Sequence, residues 1–181
     1  SKKFFGIEEN QKVILFGADN FLKNPRKGFK HFCNAIKILK EKSKIDNKIL
    51  LFGEDIKSSG FEIENYKNLG YIKDEYTLRL IYSAADVTVV PSTLESFGLI
   101  ALEASHCDSP CVVFNNTGLT SVIEHKKNGY ISEYKSDQSL ADGILWCLEN
   151  YVNSKGKIKN FTTSKFDSDI FLKNYINFLN K

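Results

Sequence analysis

VTVVPSTLESFGLIALEASHCDSP, Val87 to Pro110, is the stretch on which the reading of the whole chain turns. Val87-Thr88-Val89-Val90 is continuously apolar or β-branched, the pattern of a strand buried on both faces of a parallel sheet. Pro91 to Phe97 then forms a loop. Beyond it, Phe97, Ile100, Ala101, Ala104 and Cys107 recur at helical spacing, and Ser96 is the expected N-cap. Gly98 removes a side chain where the first backbone N–H groups of a helix point outward. A strand, a loop with Ser and Gly, and a helix N-terminus together make a ready anion site.

Two carboxylates complete the stretch, Glu95 before the helix and Glu103 within it. A carboxylate accepts two hydrogen bonds side by side, which suits neighbouring sugar hydroxyls. Eight helical residues span about 12 Å, so the two acids cannot grip one diol. The expectation is that each holds a different sugar, one on either side of the anion.

These residues resemble the E-x7-E signature of the retaining, GT-B-fold glycosyltransferases of group 4. SAADVTVVPSTLESFGLIALEA is similar to the family's strand, loop and helix. Val13-Ile14-Leu15-Phe16-Gly17 with Pro25-Arg26-Lys27-Gly28-Phe29 resembles its first strand and basic loop. Thr117-Gly118-Leu119 through Asn128-Gly129-Tyr130 resembles its Gly-rich turn and a following Asn-Gly hairpin. The match runs over about residues 12 to 180.

The resemblance implies a nucleoside diphosphate sugar as donor and a glycan or lipid-linked acceptor, in bacterial surface polysaccharide synthesis. It makes Glu95 and Lys27 the catalytic pair, Lys27 neutralising the diphosphate and Glu95 holding the donor sugar. Arg26 supports Lys27, and Glu103 binds the ribose hydroxyls. The backbone at Ser96, Phe97, Gly98, Leu99 and Ile100 meets the distal phosphate or the sugar. Gly17 and Ala18 border the site, and the base lies by Tyr71 and Ile72. No metal or other cofactor is expected. Ala18 stands where the family often has Arg, and Thr120-Ser121 where Pro-Glu is frequent, so part of the donor-sugar contact set differs. The resemblance covers only a C-terminal, donor-binding GT-B domain. The expectation is therefore a single domain over residues 1–181, with an N-terminal acceptor domain absent. Alone the domain should be almost inactive, and any peripheral membrane contact would run through the absent part. The alternatives are a GT-B-fold sugar-nucleotide epimerase and a non-catalytic nucleotide-binding interaction domain.

Composition limits the other possibilities. At 181 residues the chain can bury a sizeable core as one domain. A net charge of +3 is too small to argue for nucleic acid. There is no membrane-spanning apolar run and no signal-peptide pattern. Cys33, Cys107, Cys111 and Cys147 include no CxxC pair, and buried reduced thiols point to the cytoplasm, at the inner membrane face if the acceptor is lipid-linked. Asp167-Ser168-Asp169 spells DxD but opens a predicted helix, where acids complement the dipole. The three histidines have no ligand-spaced partners.

Strands are expected at 11–17, 48–53, 66–71, 86–90, 111–114 and 130–132. Between them fall a long helix after Gly28, with Phe29, Phe32, Ile36 and Leu39 facing inward, the helix after Phe97, and helices at 74–84, 119–124 and 140–152, with a last one at 167–179. This alternation makes an α/β, doubly wound, Rossmann-like parallel sheet, with ligands beyond the strands' carboxyl ends.

Overall fold

The computed structural model describes residues 1–57, 59–151, 156–167 and 169. Six strands form one sheet: β1 (Lys12–Ala18), β2 (Asn47–Gly53), β3 (Tyr66–Asn68), β4 (Val87–Val90), β5 (Cys111–Phe114) and β6 (Gly129–Ser132). Their order is β3-β2-β1-β4-β5-β6 and every pairing is parallel. The sheet winds outward from β1 to β3, returns to β4, and winds the other way to β6. The direction of winding reverses between β1 and β4, which opens a crevice at their carboxyl ends.

Helices cover both faces. Helices α1 (Phe29–Lys42) and α4 (Asp137–Asn150) lie on one side, where Phe16, Phe29, Phe32, Ile36, Leu39, Phe114, Leu140, Ile144 and Leu148 form a buried cluster. On the other side lie α2 (Glu75–Ala84) and α3 (Leu99–His106), packed over Leu15, Leu50, Ile81, Ala101, Ala104, Val113 and Leu119. A fifth helix, α5 (Lys157–Phe166), joins that side through Phe166, whose ring meets Phe97 edge-on at 5.9 Å. Asp108 fixes its start, accepting from the N–H groups of Gly156 and Lys159 at 2.7 and 2.9 Å. A carboxylate at a helix N-terminus satisfies orphan donors and complements the dipole.

Several local expectations are corrected. Ser96 does not cap α3; Gly98 does, at φ 100°, without a side-chain hydrogen bond. The short helix after the Gly-rich turn is a 3-10 turn at Gly118–Ser121. Asn128-Gly129 makes no hairpin, because β6 runs parallel to β5. Asn128 is instead buried, its amide oxygen accepting from Glu124 N and its nitrogen donating to the Val122 carbonyl. Helix α4 starts at Asp137, capped by Ser136 accepting from Ser139 N at 3.1 Å. Asp167 ends α5, and its carboxylate accepts from Asp169 N at 2.9 Å. Most of the helix expected over 167–179 lies outside the described residues. No helix among the described residues is long and apolar enough to cross a membrane.

Candidate functional site

The crevice between β1 and β4 holds a cavity of about 450 Å3. Its floor is Phe16, Gly17 and Ala18 from β1 with Val89 and Val90 from β4, and its rim is Pro91, Ser92, Glu95 to Ile100, and Lys27. It brings together the strand–loop–helix stretch and the basic turn, 68 residues apart in the chain.

Backbone constraints bring them together. Asn24 caps the turn Pro25–Lys27, its side chain accepting from Arg26 N at 3.3 Å. Gly28 follows at φ 74°, and a Cβ there would lie 1.8 Å from the Pro91 carbonyl oxygen. Glycine at 28 is therefore required by contact with the loop after β4, a need that involves no ligand. Arg26 O accepts from Thr93 N at 2.8 Å, and the Thr93 carbonyl accepts from the Tyr134 hydroxyl at 3.0 Å. On the far wall Gly118 N donates to Glu95 O at 2.7 Å, and a Cβ on Gly118 would lie 2.0 Å from Ser96 O. A Cβ on Gly98 would strike Leu119 at 2.3 Å. Three glycines thus let three loops close on one point.

At that point Lys27 Nζ lies 3.3 Å from Glu95 Oε2, both side chains about a quarter exposed. Helix α3 begins beside them, where the N–H groups of Gly98, Leu99 and Ile100 have no partner within the helix. A cation and a helix N-terminus facing one hollow can hold an anion. The adjacent carboxylate would sit against its edge and is suited to hydroxyl groups. Arg26 is exposed and borders a neighbouring hollow with Asn24, Lys27, Leu94, Glu95 and Ser96.

Of the residues expected at the site, Gly17, Ala18, Lys27, Glu95, Ser96, Phe97, Gly98, Leu99 and Ile100 meet at this cavity, and Arg26 stands next to it. Tyr71 and Ile72 do not line it; Tyr71 is exposed in the loop after β3, and Ile72 packs on the α2–α3 side. Nor does Glu103. It borders a second hollow, of about 620 Å3, with Arg79 and Tyr82 of α2, His106 of α3 and Lys159 of α5. Glu103 is exposed, although its helix neighbours are apolar, and accepts from the Tyr82 hydroxyl at 3.0 Å. Burial first, and then the Glu103 carboxylate, push the Tyr82 pKa far above its ordinary value, so the hydroxyl stays a donor. Pro91 and Ser92 also line the cavity but were not among the expected site residues, although the sequence places them in the loop after β4. Nothing in the local sequence marks Tyr82. Among the described residues no three His, Cys, Asp or Glu side chains are grouped to hold a metal ion.

The sequence profile of the family "Glycosyl transferases group 1" matches residues 1–164. The chain belongs to this family. Among curated relatives it is 28% identical over 170 residues to an uncharacterized glycosyltransferase of Methanocaldococcus jannaschii, covering 86% of this chain and 42% of that one. It is 30% identical over 157 residues to the N-acetyl-alpha-D-glucosaminyl L-malate synthase of Bacillus anthracis, covering 82% and 39%. The same fold occurs in the sucrose-phosphate synthase of Thermosynechococcus elongatus, with TM-score 0.76, 21% identity, and coverage of 99% and 47%. It recurs in Anabaena HepE solved with UDP and glucose, with TM-score 0.73, 21% identity, and coverage of 99% and 50%. The chain thus spans about two fifths of those curated relatives and about half of those solved chains.

Proposed function

We propose that this chain is the donor-binding part of a glycosyltransferase that takes its sugar from a nucleoside diphosphate sugar. The observation that carries the reading is the pairing of Lys27 with Glu95 at the N-terminus of α3, inside the β1–β4 crevice. UDP bound to a protein of the same fold supports it.

On this reading the diphosphate lies against Lys27 and the first N–H groups of α3, with Arg26 beside it. As the bond from the sugar's anomeric carbon to the distal phosphate oxygen breaks, its electron pair stays on the phosphate. Positive groups aimed at that oxygen stabilise the transition state more than the ground state. Each charge-assisted contact contributes roughly 1.5–3 kcal/mol. Glu95 holds donor-sugar hydroxyls at the mouth, Glu103 the ribose hydroxyls, and the base extends toward Tyr71 and Ile72. The acceptor hydroxyl, of a glycan or lipid-linked glycan, attacks the anomeric carbon, and its proton passes to the departing phosphate oxygen that has kept the electron pair of the broken bond. Retention of configuration follows from the likeness to E-x7-E enzymes, and surface polysaccharide synthesis from the likeness of the Gly-Ala and Arg-Lys-Gly-Phe segments. No metal has a role here, and the four free thiols suit a reducing compartment. Turnover needs an acceptor-binding domain as well.

Calorimetric titration with UDP, GDP and their sugars tests the reading. One of these series should bind, with Lys27→Ala weakening it about tenfold or more. Binding of none, or binding indifferent to Lys27, would refute it.

A further inference from the structure

Tyr82 is 2% exposed, and its ring packs edge-on to Phe52 at 6.1 Å. The core therefore uses the ring, and phenylalanine would supply it equally. The hydroxyl serves a different neighbour. It reaches across from α2 to α3 and donates to Glu103 Oε2 at 3.0 Å. Glu103 is exposed at the edge of the 620 Å3 hollow and has water available to it, so it needs no tyrosine for its own solvation. Fixing its carboxylate is the effect of this bond that a buried ring alone would not give.

We infer that Tyr82 is a positioning residue, anchoring one oxygen of Glu103 so that the carboxylate presents a fixed pair of acceptor sites to the ribose diol of the donor. The inference rests on the reading of Glu103 as the ribose-binding acid. A free glutamate on a helix surface samples several rotamers and loses them on binding. Tethered to a donor held in the core, it has already lost most of that freedom. A carboxylate has about four lone-pair sites. The tyrosine occupies one, and among the described residues no other hydrogen bond to the carboxylate is seen, which leaves Oε1 and the second site of Oε2 for two adjacent hydroxyls. Tyr82 acts through Glu103 and does not touch the reacting atoms.

Titration of this chain with UDP and 2′-deoxy-UDP, and in parallel with GDP and 2′-deoxy-GDP, tests the inference. Tyr82→Phe should weaken binding of the ribonucleotide roughly 3- to 10-fold and leave the deoxynucleotide nearly unchanged. In a Glu103→Ala background the same substitution should add nothing. In the unaltered chain, the Tyr82 ring signals in NMR should shift more on saturation with the ribonucleotide than with its deoxy form, a readout that does not depend on the variant folding. If Glu103→Ala weakens ribonucleotide binding while Tyr82→Phe matches the unaltered chain on both nucleotides, the positioning role is overturned and the reading of Glu103 stands. Equal weakening of both nucleotides by Tyr82→Phe would also overturn it, as a purely structural effect. If Glu103→Ala binds as the unaltered chain does, or neither nucleotide binds at all, the reading fails and this inference with it.

Discussion

Replacing Glu95 by Gln should tighten the binding of a bare nucleoside diphosphate. Lys27 Nζ is 3.3 Å from Glu95 Oε2. At an effective dielectric of about 20 that contact is worth roughly 5 kcal/mol of gross attraction. Both side chains are about a quarter exposed, so desolvation and water screening reduce the net value to about 1 kcal/mol. A diphosphate must take Lys27 away from Glu95 and then sit beside a carboxylate that repels it. Gln keeps the shape and removes both costs, giving a gain of about 1 kcal/mol, or roughly 5-fold in affinity. The nucleotide sugar should respond oppositely, because Glu95 is then missing from its sugar hydroxyls. The ratio of sugar-nucleotide to nucleotide affinity should therefore collapse. Isothermal titration with UDP and UDP-glucose, or the GDP pair, at low and high salt measures this, and the 5-fold gain should shrink as salt screens the charges. Weaker binding of the bare diphosphate by Glu95→Gln, or no change, would refute the reasoning that the carboxylate competes for Lys27.

Two further outcomes follow from the geometry. Gly28→Ala should lower stability by about 2 kcal/mol or more, a fall in thermal midpoint of roughly 4–8 °C, because φ is 74° and the Pro91 carbonyl oxygen lies 1.8 Å from the new Cβ. A midpoint unchanged in thermal denaturation would show that the two loops do not depend on that contact. Slight desolvation, and then the Lys126 charge, hold the pKa of the exposed His125 ring below its usual value, and its Nδ1 accepts from Ile131 N at 3.1 Å. The folded chain thus resists protonating this ring. Its stabilising effect is complete above the unfolded value of about 6.5 and is lost as pH falls through the lower folded value. His125→Asn keeps an acceptor and should flatten the decline in thermal midpoint over that window; an unchanged slope would assign the decline to other groups.

The parts of the fold that were legible are those whose residues are buried on both faces. The apolar run Cys111–Phe114 is the strand β5 itself, and the inward stripe Phe29, Phe32, Ile36 and Leu39 of α1 is buried as its spacing requires. The candidate site was legible as a set of motifs because they fall on loops at a winding reversal, where a doubly wound sheet opens a crevice. What escaped depended on partners distant in sequence. Gly98 starts α3 because Leu119, 21 residues later, fills the space of a side chain. Asn128-Gly129 has the composition of a hairpin, yet a Cβ on Gly129 would lie 2.1 Å from the Cys111 carbonyl oxygen, and a buried Asn128 ties down Val122 and Glu124. Helix α5 shows little periodicity because only Ile158 and Thr162 of its ten residues are buried. The separation of Glu103 from the Lys27 cavity was partly legible, since the 12 Å estimate already kept the two acids apart. The tie from Glu103 to Tyr82 was not, because it joins two helices.

The most direct test of the account is a crystal structure of this chain with UDP or GDP bound. The distal phosphate should lie within about 3 Å of Lys27 Nζ and of the Gly98 or Leu99 N–H, with the ribose toward Glu103. A nucleotide lodged elsewhere on the molecule, with the β1–β4 crevice empty, would contradict it.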